Sequence, residues 1–167
     1  MKGIKTLVSA TAIAVCMGAA SMASAATIGP DGPFSATGSI TVKSPSSFQA
    51  PVTCPVVASG TVSGGVATIT SFSTASGSGL CQLPQFKNLP SPGWVITAAT
   101  ATTGTIANVG YTISSLPATN CGPSTINVNW ASSGSVGGTL SATNQALSGS
   151  CTVTSLSVSA PTITITP

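Results

Sequence analysis

The mature part of the chain is predicted to be all-β, as an antiparallel β-sandwich or a Greek-key barrel with two disulfide bonds. Three observations predict this fold class. Apolar and polar residues alternate with period two, clusters of Gly, Ser and Pro separate the alternating segments, and helix-start signals are almost absent after residue 25. Alternation is typical of half-buried strands, and many short strands between regular turns are typical of sandwiches and barrels.

The first 25 residues are predicted to be a signal peptide. A short basic segment, residues 1–5, precedes an apolar stretch at 7–20, and Ala23-Ser24-Ala25 matches a cleavage site. Cleavage there leaves residues 26–167 as a single secreted domain, extracellular or at the cell surface. The alternative is a retained membrane anchor, but the apolar stretch is short for that purpose. No later stretch is long enough to span a bilayer, so the mature chain is predicted to lack a transmembrane segment.

The alternation places the strands in order along the mature chain. The residues Ala26 to Phe34 are rich in Gly and Pro, and we expect them to form a loose arm ahead of the first good strand. Roughly eight to ten short strands then follow. The clearest strands are listed here with their apolar faces: 34–43 (Phe34, Ala36, Ile40, Val42), 52–62 (Val52, Cys54, Val56, Ala58, Val62), 107–113 (Val109, Tyr111, Ile113), 125–131 (Ile126, Val128, Trp130), 136–142 (Val136, Leu140, Ala142) and 162–166 (Ile163, Ile165).

Four cysteines remain after the predicted cleavage: Cys54, Cys81, Cys121 and Cys151. An even number in an exported chain predicts disulfide bonds, and three pairings of four cysteines are possible. A zinc site is disfavoured because the chain has no C-x-x-C pair and no His. A weak internal repeat divides the domain into residues 26–103 and 104–167, each with two cysteines around a pair of strands. If the repeat is real, it favours Cys54 with Cys81 and Cys121 with Cys151.

Charged residues are almost missing, since the chain has four lysines, one aspartate and no histidine. Metal clusters, paired carboxylates and His-based nucleophiles are therefore excluded, and so is a basic surface for nucleic acid. A nucleophilic serine would need Lys43, Lys87 or Asp31 as its base. Lys43 adjoins Ser44, but neighbouring side chains on a strand point to opposite faces. We predict no catalytic residue, no cofactor, no metal and no enzymatic activity.

The aromatic residues and the outer faces are the candidate binding surfaces of the chain. Trp94, Trp130 and Tyr111 could form a platform for carbohydrate, but the alternation places Trp130 with apolar neighbours, and core packing is predicted for both tryptophans. The outward faces carry Ser and Thr instead of charged residues, which favours self-association or adsorption to interfaces. The alternative is an ordinary exported β-domain without this tendency.

Several short motifs together resemble the PraB-type family of protein activators of alkane oxidation. The resemblance covers the whole mature chain and implies a small secreted protein that aids growth on long-chain alkanes by helping cells contact or disperse hydrocarbon. It implies no catalytic residues. The motifs are Ala25-Ala-Thr27, Phe34-Ser-Ala-Thr-Gly38, Pro51-Val-Thr-Cys54, Gly79-Leu-Cys81, Asn88-Leu-Pro90 with Trp94 following, Asn120-Cys-Gly-Pro123 and Ala146-Leu-Ser-Gly-Ser-Cys-Thr-Val153.

Two functions remain open at this point. The first is an extracellular, non-enzymatic accessory protein with surfactant-like action, whose partner is a hydrocarbon or cell-surface interface. The second is a structural subunit of a biofilm-matrix fibre or cell-surface layer, whose partner is another copy of the chain. In the second case the Ala26 to Phe34 arm would add as a strand to a neighbouring subunit.

Overall fold

The structure is a computed structural model that describes residues 26–75, 79–115 and 117–167. The predicted signal peptide, residues 1–25, lies outside the described residues. The described chain is all-β, as predicted, with short 3-10 turns at Pro45–Ser47 and Gly79–Gln82. Its strands are β1 (Thr27–Gly29), β2 (Gly32–Lys43), β3 (Val52–Ser63), β4 (Val66–Thr74), β5 (Gln85–Phe86), β6 (Trp94–Ala98), β7 (Thr103–Ile113), β8 (Thr119–Ser132), β9 (Gly138–Leu147), β10 (Cys151–Ala160) and β11 (Thr164–Thr166).

Eight strands close into an antiparallel barrel in the order β2-β3-β4-β6-β7-β8-β9-β10, and β10 pairs back with β2. The short strand β5 pairs with β7 beyond the end of β6. Of the two predicted architectures, the barrel is therefore confirmed and the sandwich is wrong. The Greek-key order is also wrong, because each strand of the ring pairs with its neighbours in sequence and the ring is an up-and-down barrel. Alternation shows which residues face inward, but it does not show whether the first and last strands meet.

The barrel has two different ends. The connections that follow β2, β4, β7 and β9 lie at one end, called the loop end here. The connections that follow β3, β6 and β8 lie at the other end, together with the β1–β11 ribbon, and this is called the ribbon end. Ile28 N donates to Gly65 O at 3.1 Å and Gly137 N donates to Ile163 O at 3.1 Å, so the ribbon is fastened to two of these connections.

The N-terminal arm is not loose, which corrects the prediction for Ala26 to Phe34. β1 pairs with β11 from Thr27 with Thr166 to Gly29 with Thr164, and β2 begins at Gly32. Ile28 is buried and lines the barrel interior together with Ile163 and Ile165. A three-residue strand is too short to show alternation in the sequence, so its pairing could not be predicted.

The core follows the predicted faces with one exception. The predicted inward residues of β3, β7 and β8 are buried or half-buried, and Trp94 and Trp130 are buried, as predicted. Val136 is the exception, because it is 57% exposed and β9 begins only at Gly138. Gly137 has a φ of +87° and packs against the backbone of Pro161, so the turn continues to this point and Val136 projects outward.

Two strand glycines allow close approach of neighbouring backbones. A Cβ on Gly38 would lie 2.0 Å from Ser157 O, and a Cβ on Gly60 would lie 1.9 Å from Thr68 O. The pairing of β3 with β4 also shifts register between Ser59 and Gly60. Glycine within a strand is typical of such bulges and of sharp bends in barrels. These two positions let the sheet curve into a narrow ring.

Candidate functional site

The charged side chains are separated along the barrel axis. Asp31 is exposed at the ribbon end, where its Oδ1 accepts from Gly64 N at 3.1 Å. Lys43 ends β2 at the loop end. Lys87 also lies at the loop end, where its Nζ donates to Asn120 Oδ1 and, at 2.7 Å, to Gly122 O. Ser44 is buried while Lys43 is only half-buried. Within the described ranges, the hydrogen bonds recorded for Asp31 and Lys87 go to backbone and amide groups and not to a serine hydroxyl.

In the part of the chain that the structure describes, no three His, Cys, Asp or Glu side chains lie together where they could hold a metal ion. Within the same ranges, no helix combines the length and apolar character needed to cross a membrane.

Both disulfide bonds lie at the loop end. Cys54, near the start of β3, bonds to Cys81 in the turn Gly79–Gln82, and Cys121, near the start of β8, bonds to Cys151 at the start of β10. This is the pairing that the internal repeat favoured. All four cysteines are buried. The first bond attaches the long connection between β4 and β6 to the barrel wall.

The connection between β2 and β3 is attached to its neighbours by polar contacts. Ser46 N donates to Thr119 Oγ1 at 2.9 Å, and Ser46 Oγ donates to Pro117 O at 2.9 Å. Gln49 Nε2 donates to Ser150 O at 3.0 Å. Several connections of the loop end are thus joined into one surface.

Three large apolar side chains project from this surface. Phe48 is 81% exposed, Leu80 is 53% exposed and Leu83 is 40% exposed, and the three together are called the apolar tip. Only Val57 and Val136 are also exposed among the large apolar residues that the structure describes, and both lie elsewhere. The sequence pattern does not predict the apolar tip, because its three residues lie in turn-rich segments without alternation. The sequence signal that could indicate their exposure is a bulky apolar residue next to Ser, Gln or Gly in a turn.

Phe48 has an unusual backbone conformation. Its φ is +51° and that of Gln49 is +62°, so two consecutive residues with side chains are left-handed. This conformation is uncommon for a bulky residue, and residues held in it concentrate at functional sites. Phe48 N donates to Pro45 O at 2.9 Å, which holds the turn in place.

An aromatic cluster supports the connection between β4 and β6. The rings of Phe72 and Phe86 lie 4.9 Å apart edge to face, and the ring of Trp94 lies 4.9 Å from Phe72 and 5.9 Å from Phe86. Such pairs stabilise a fold beyond the burial of their area. Trp94 Nε1 donates to Lys87 O at 2.9 Å, so the cluster also positions the segment that carries Lys87.

Small adjoining cavities lie along the barrel interior in the described part of the chain. The main cavity, about 60 Å³, is lined only by apolar residues and reaches from the ribbon to the middle of the barrel. A second cavity of about 30 Å³ shares Trp94 and Val109 with it, and a third of about 40 Å³ shares Val42 and Pro84 with the second. The third cavity reaches Leu80 and Leu83 at the loop end.

Tyr111 lines the second cavity and is only 5% exposed. Burial raises the pKa of its hydroxyl above the ordinary value of 10.0, and the nearby Ser44 side chain offsets part of that rise. No hydrogen bond of normal geometry satisfies the Tyr111 hydroxyl within the described residues, and the same holds for Trp130 Nε1 and Thr154 Oγ1. A buried polar atom without a partner is rare in folded proteins and calls for an explanation.

Comparison with known proteins identifies a matching family. The family described as "Alkane oxidation protein activator PraA/PraB-like" matches residues 1–167, the whole chain. No curated protein and no solved structure matches the chain significantly.

Proposed function

Because the chain belongs to the PraA/PraB-like family of alkane oxidation activators, we propose that it is an exported, non-catalytic accessory protein that adsorbs to hydrocarbon–water interfaces. The apolar tip is the observation that carries this proposal. The loop end would face the hydrocarbon, and the ribbon end would face the water.

The tip has the composition expected of an adsorbing surface. Single exposed apolar residues are normal on proteins, but grouped ones mark contact sites. Phe48 and Leu80 are both more than half exposed and lie on two connections that border the same cavity. Transfer of a fully exposed apolar side chain out of water contributes about 1.5–3 kcal/mol. Phe48, Leu80 and Leu83 are partly exposed, so each contributes the corresponding fraction of that value to adsorption.

The uncharged barrel reduces the cost of adsorption. Lys43 and Lys87 are the only charged side chains at the loop end in the described ranges, and both are half-buried. Lysine stems can lie along an apolar surface while the ammonium group remains in water. Ser and Thr on the outer faces carry no charge that would have to be desolvated.

The small volume of the barrel interior favours contact of hydrocarbon with the outer surface over binding of hydrocarbon inside the barrel. An apolar cavity of about 150 Å³ is needed to hold benzene, and the main cavity of about 60 Å³ is smaller. Side chains fill most of the lumen, as they can in an eight-stranded barrel. A long-chain alkane has no room there in this conformation, so the proposed contact is external.

The test compares two sets of exposed apolar residues in the purified mature protein. Pendant-drop measurements would follow the hexadecane–water interfacial tension for the native protein, for Phe48→Ser/Leu80→Ser/Leu83→Ser and for the control Val57→Ser/Val136→Ser. We expect the tip variant to lose most of the tension decrease and the control to keep it, with unchanged circular dichroism in both. A tip variant that lowers the tension as fast as the native protein would show the proposal to be wrong.

A fibre subunit is the second candidate, and the β1–β11 ribbon is the observation that favours it. Both sides of each ring strand are paired, so the barrel itself offers little edge for a neighbour. The ribbon lies outside the ring, so β1 could pair with β11 of another copy without opening the barrel. Such an exchange of identical elements is a low-cost route to assembly.

Locking the ribbon tests the exchange. The hydroxyls of Thr27 and Thr166 lie 2.9 Å apart, so Thr27→Cys/Thr166→Cys would join the two strands of one copy. Electron microscopy of the native protein and of the oxidised variant would then be compared, with the reduced variant as control. Filaments that form equally well from the oxidised variant would rule out exchange of β1.

A further inference from the structure

The charged side chains are distributed unequally between the two ends of the barrel. Lys43 and Lys87 both lie at the loop end. Asp31 is the only Asp or Glu of the chain, and it lies at the ribbon end. In the described ranges, the end that carries the apolar tip therefore has two positive side chains and no negative one.

The two lysines lie on opposite sides of the loop end. Lys43 is the last residue of β2. Lys87 lies against β7, where its backbone N–H donates to Gly110 O at 2.9 Å. Its Nζ contacts the start of β8, where it donates to Asn120 Oδ1 and, at 2.7 Å, to Gly122 O. Since β7 and β8 lie across the ring from β2, the two lysines flank the loop end.

Each of the two connections that form the apolar tip has one of these lysines beside it in the chain. Lys43 lies directly before the connection that carries Phe48, and Lys87 follows Leu83 in the connection between β4 and β6. Neither lysine is buried. Apolar side chains flanked by cationic ones are typical of proteins that bind surfaces with an apolar interior and negative head groups. Bare hydrocarbon offers no partner for the two ammonium groups.

We propose that the loop end docks onto an oil surface that carries ionised carboxylate amphiphiles, with the apolar tip in the hydrocarbon and Lys43 and Lys87 among the carboxylates. This docking rests on the hydrocarbon adsorption proposed above and names the kind of oil surface that the charges fit. A lysine stem can lie along an apolar surface while its ammonium group stays at the polar boundary. Fatty acids are amphiphiles of this class, and they are products of the oxidation of the terminal carbon of alkanes.

The electrostatic contact adds to a small apolar contact. The three side chains of the apolar tip are only partly exposed, and a small apolar anchor binds reversibly unless a second, charged contact supports it. A lysine at an anionic lipid surface strengthens adsorption about fivefold, so two lysines give about thirtyfold. Salt should remove most of this factor, because the Debye length falls from about 10 Å at 0.1 M to about 3 Å at 1 M.

Droplet binding tests the docking with two amphiphiles that differ only in their head groups. Hexadecane droplets would be coated with oleic acid, at a pH that ionises it, or with oleyl alcohol. Depletion of the purified mature protein from the water then gives its partition coefficient. We expect the native protein to partition about thirtyfold more strongly to the acid-coated droplets at low salt. Lys43→Gln/Lys87→Gln should lose this preference and bind the alcohol-coated droplets as the native protein does.

Two controls separate the position of the charges from their number and from the apolar tip. Ser63 and Thr162 are exposed at the ribbon end, so adding Ser63→Lys/Thr162→Lys to the variant without the two native lysines restores the net charge at the wrong end. This change should not restore the preference for acid-coated droplets. Phe48→Ser/Leu80→Ser/Leu83→Ser should weaken binding to both kinds of droplet.

The outcomes distinguish this docking from the hydrocarbon adsorption on which it rests. Equal partition of the native protein to the two kinds of droplet, or a preference that persists in Lys43→Gln/Lys87→Gln, would overturn the docking and leave the adsorption standing. Unchanged binding of the tip variant to both kinds of droplet would overturn both proposals. Vesicles of phosphatidylglycerol are the third arm, and tighter binding to them than to acid-coated droplets would assign the loop end to a membrane and contradict the oil surface proposed here.

Discussion

The Cys54–Cys81 bond is expected to have two effects: it raises the unfolding free energy of the domain, and it holds one connection of the loop end in place. Removing the bond, with a matched control, allows the two effects to be measured separately. Both cysteines are buried, so Cys54→Ala/Cys81→Ala removes the bond without burying a new hydroxyl. The sequence separation is 27 residues, for which the loss of loop-closure entropy corresponds to about 3.5 kcal/mol of unfolding free energy. The matched control is Cys121→Ala/Cys151→Ala.

The Cys121–Cys151 bond, which the control variant removes, closes a loop of nearly the same length, with a separation of 30 residues. The same chain-entropy relation therefore gives a similar loss of about 3.6 kcal/mol. Urea unfolding monitored by circular dichroism measures both losses. The two variants should differ in local protection, since only the Cys54–Cys81 bond attaches the turn Gly79–Gln82 to β3.

Trypsin reports this local difference, because Lys43 and Lys87 are its only cleavage sites in residues 26–167. Lys87 lies in the connection that the Cys54–Cys81 bond attaches. We expect cleavage after Lys87 to accelerate much more in Cys54→Ala/Cys81→Ala than in the control, at matched global stability. Equal cleavage in both variants, or losses of unfolding free energy that differ by more than about 1 kcal/mol, would refute this account of the bond.

Three further predictions concern pH, backbone packing and processing. Because the pKa of Tyr111 is raised, the folded state binds the hydroxyl proton more tightly than the unfolded state. The contribution of Tyr111 to stability is therefore fully present below pH 10.0, the ordinary pKa, and is lost as the pH rises through the raised pKa. The slope reaches about 1.4 kcal/mol per pH unit, and alkaline urea titrations should show it in the native protein and not in Tyr111→Phe. Gly38→Ala and Gly60→Ala should each lower the unfolding free energy by about 2 kcal/mol or more through backbone overlap, whereas Gly79→Ala, which has nothing within 4 Å, should stay within about 0.5 kcal/mol; equal effects at all three would contradict the packing argument. Intact-mass measurement of the exported protein should give Ala26 as its first residue, and a different start would show the cleavage prediction to be wrong.

The strands could be predicted because alternation is a local property. A few consecutive residues are enough to predict the inward faces of β3, β7 and β8. Trp130 could be placed in the core from the alternation of its immediate neighbours alone. Val136 was misplaced because the turn before β9 depends on a distant contact, the approach of Gly137 to Pro161. The first residue of β9 is set by this tertiary contact, and the local alternation of apolar and polar residues does not show it.

The closure of the ring and the loop end could not be predicted for the same reason. Closure depends on the pairing of β2 with β10, which are separated by most of the domain. Phe48 and Leu80 lie in segments without periodicity, so nothing in their neighbourhood indicates whether they are covered. The inward direction of Tyr111 follows from its alternation with Val109, but the approach of the Ser44 side chain to its hydroxyl joins segments that are far apart in the sequence.

The closing pair also sets the order of events when the chain is made. Lys43 pairs with Thr152 and Thr37 pairs with Ser159, so β2 has no final partner on that side until nearly the whole polypeptide is available for folding. Pairings between such distant segments are entropically slow to form. Until then the growing chain carries open strand edges, which are templates for aggregation. A chain that terminates before β10 would keep those edges permanently, so any shortened product should be removed by proteases instead of accumulating as a smaller barrel.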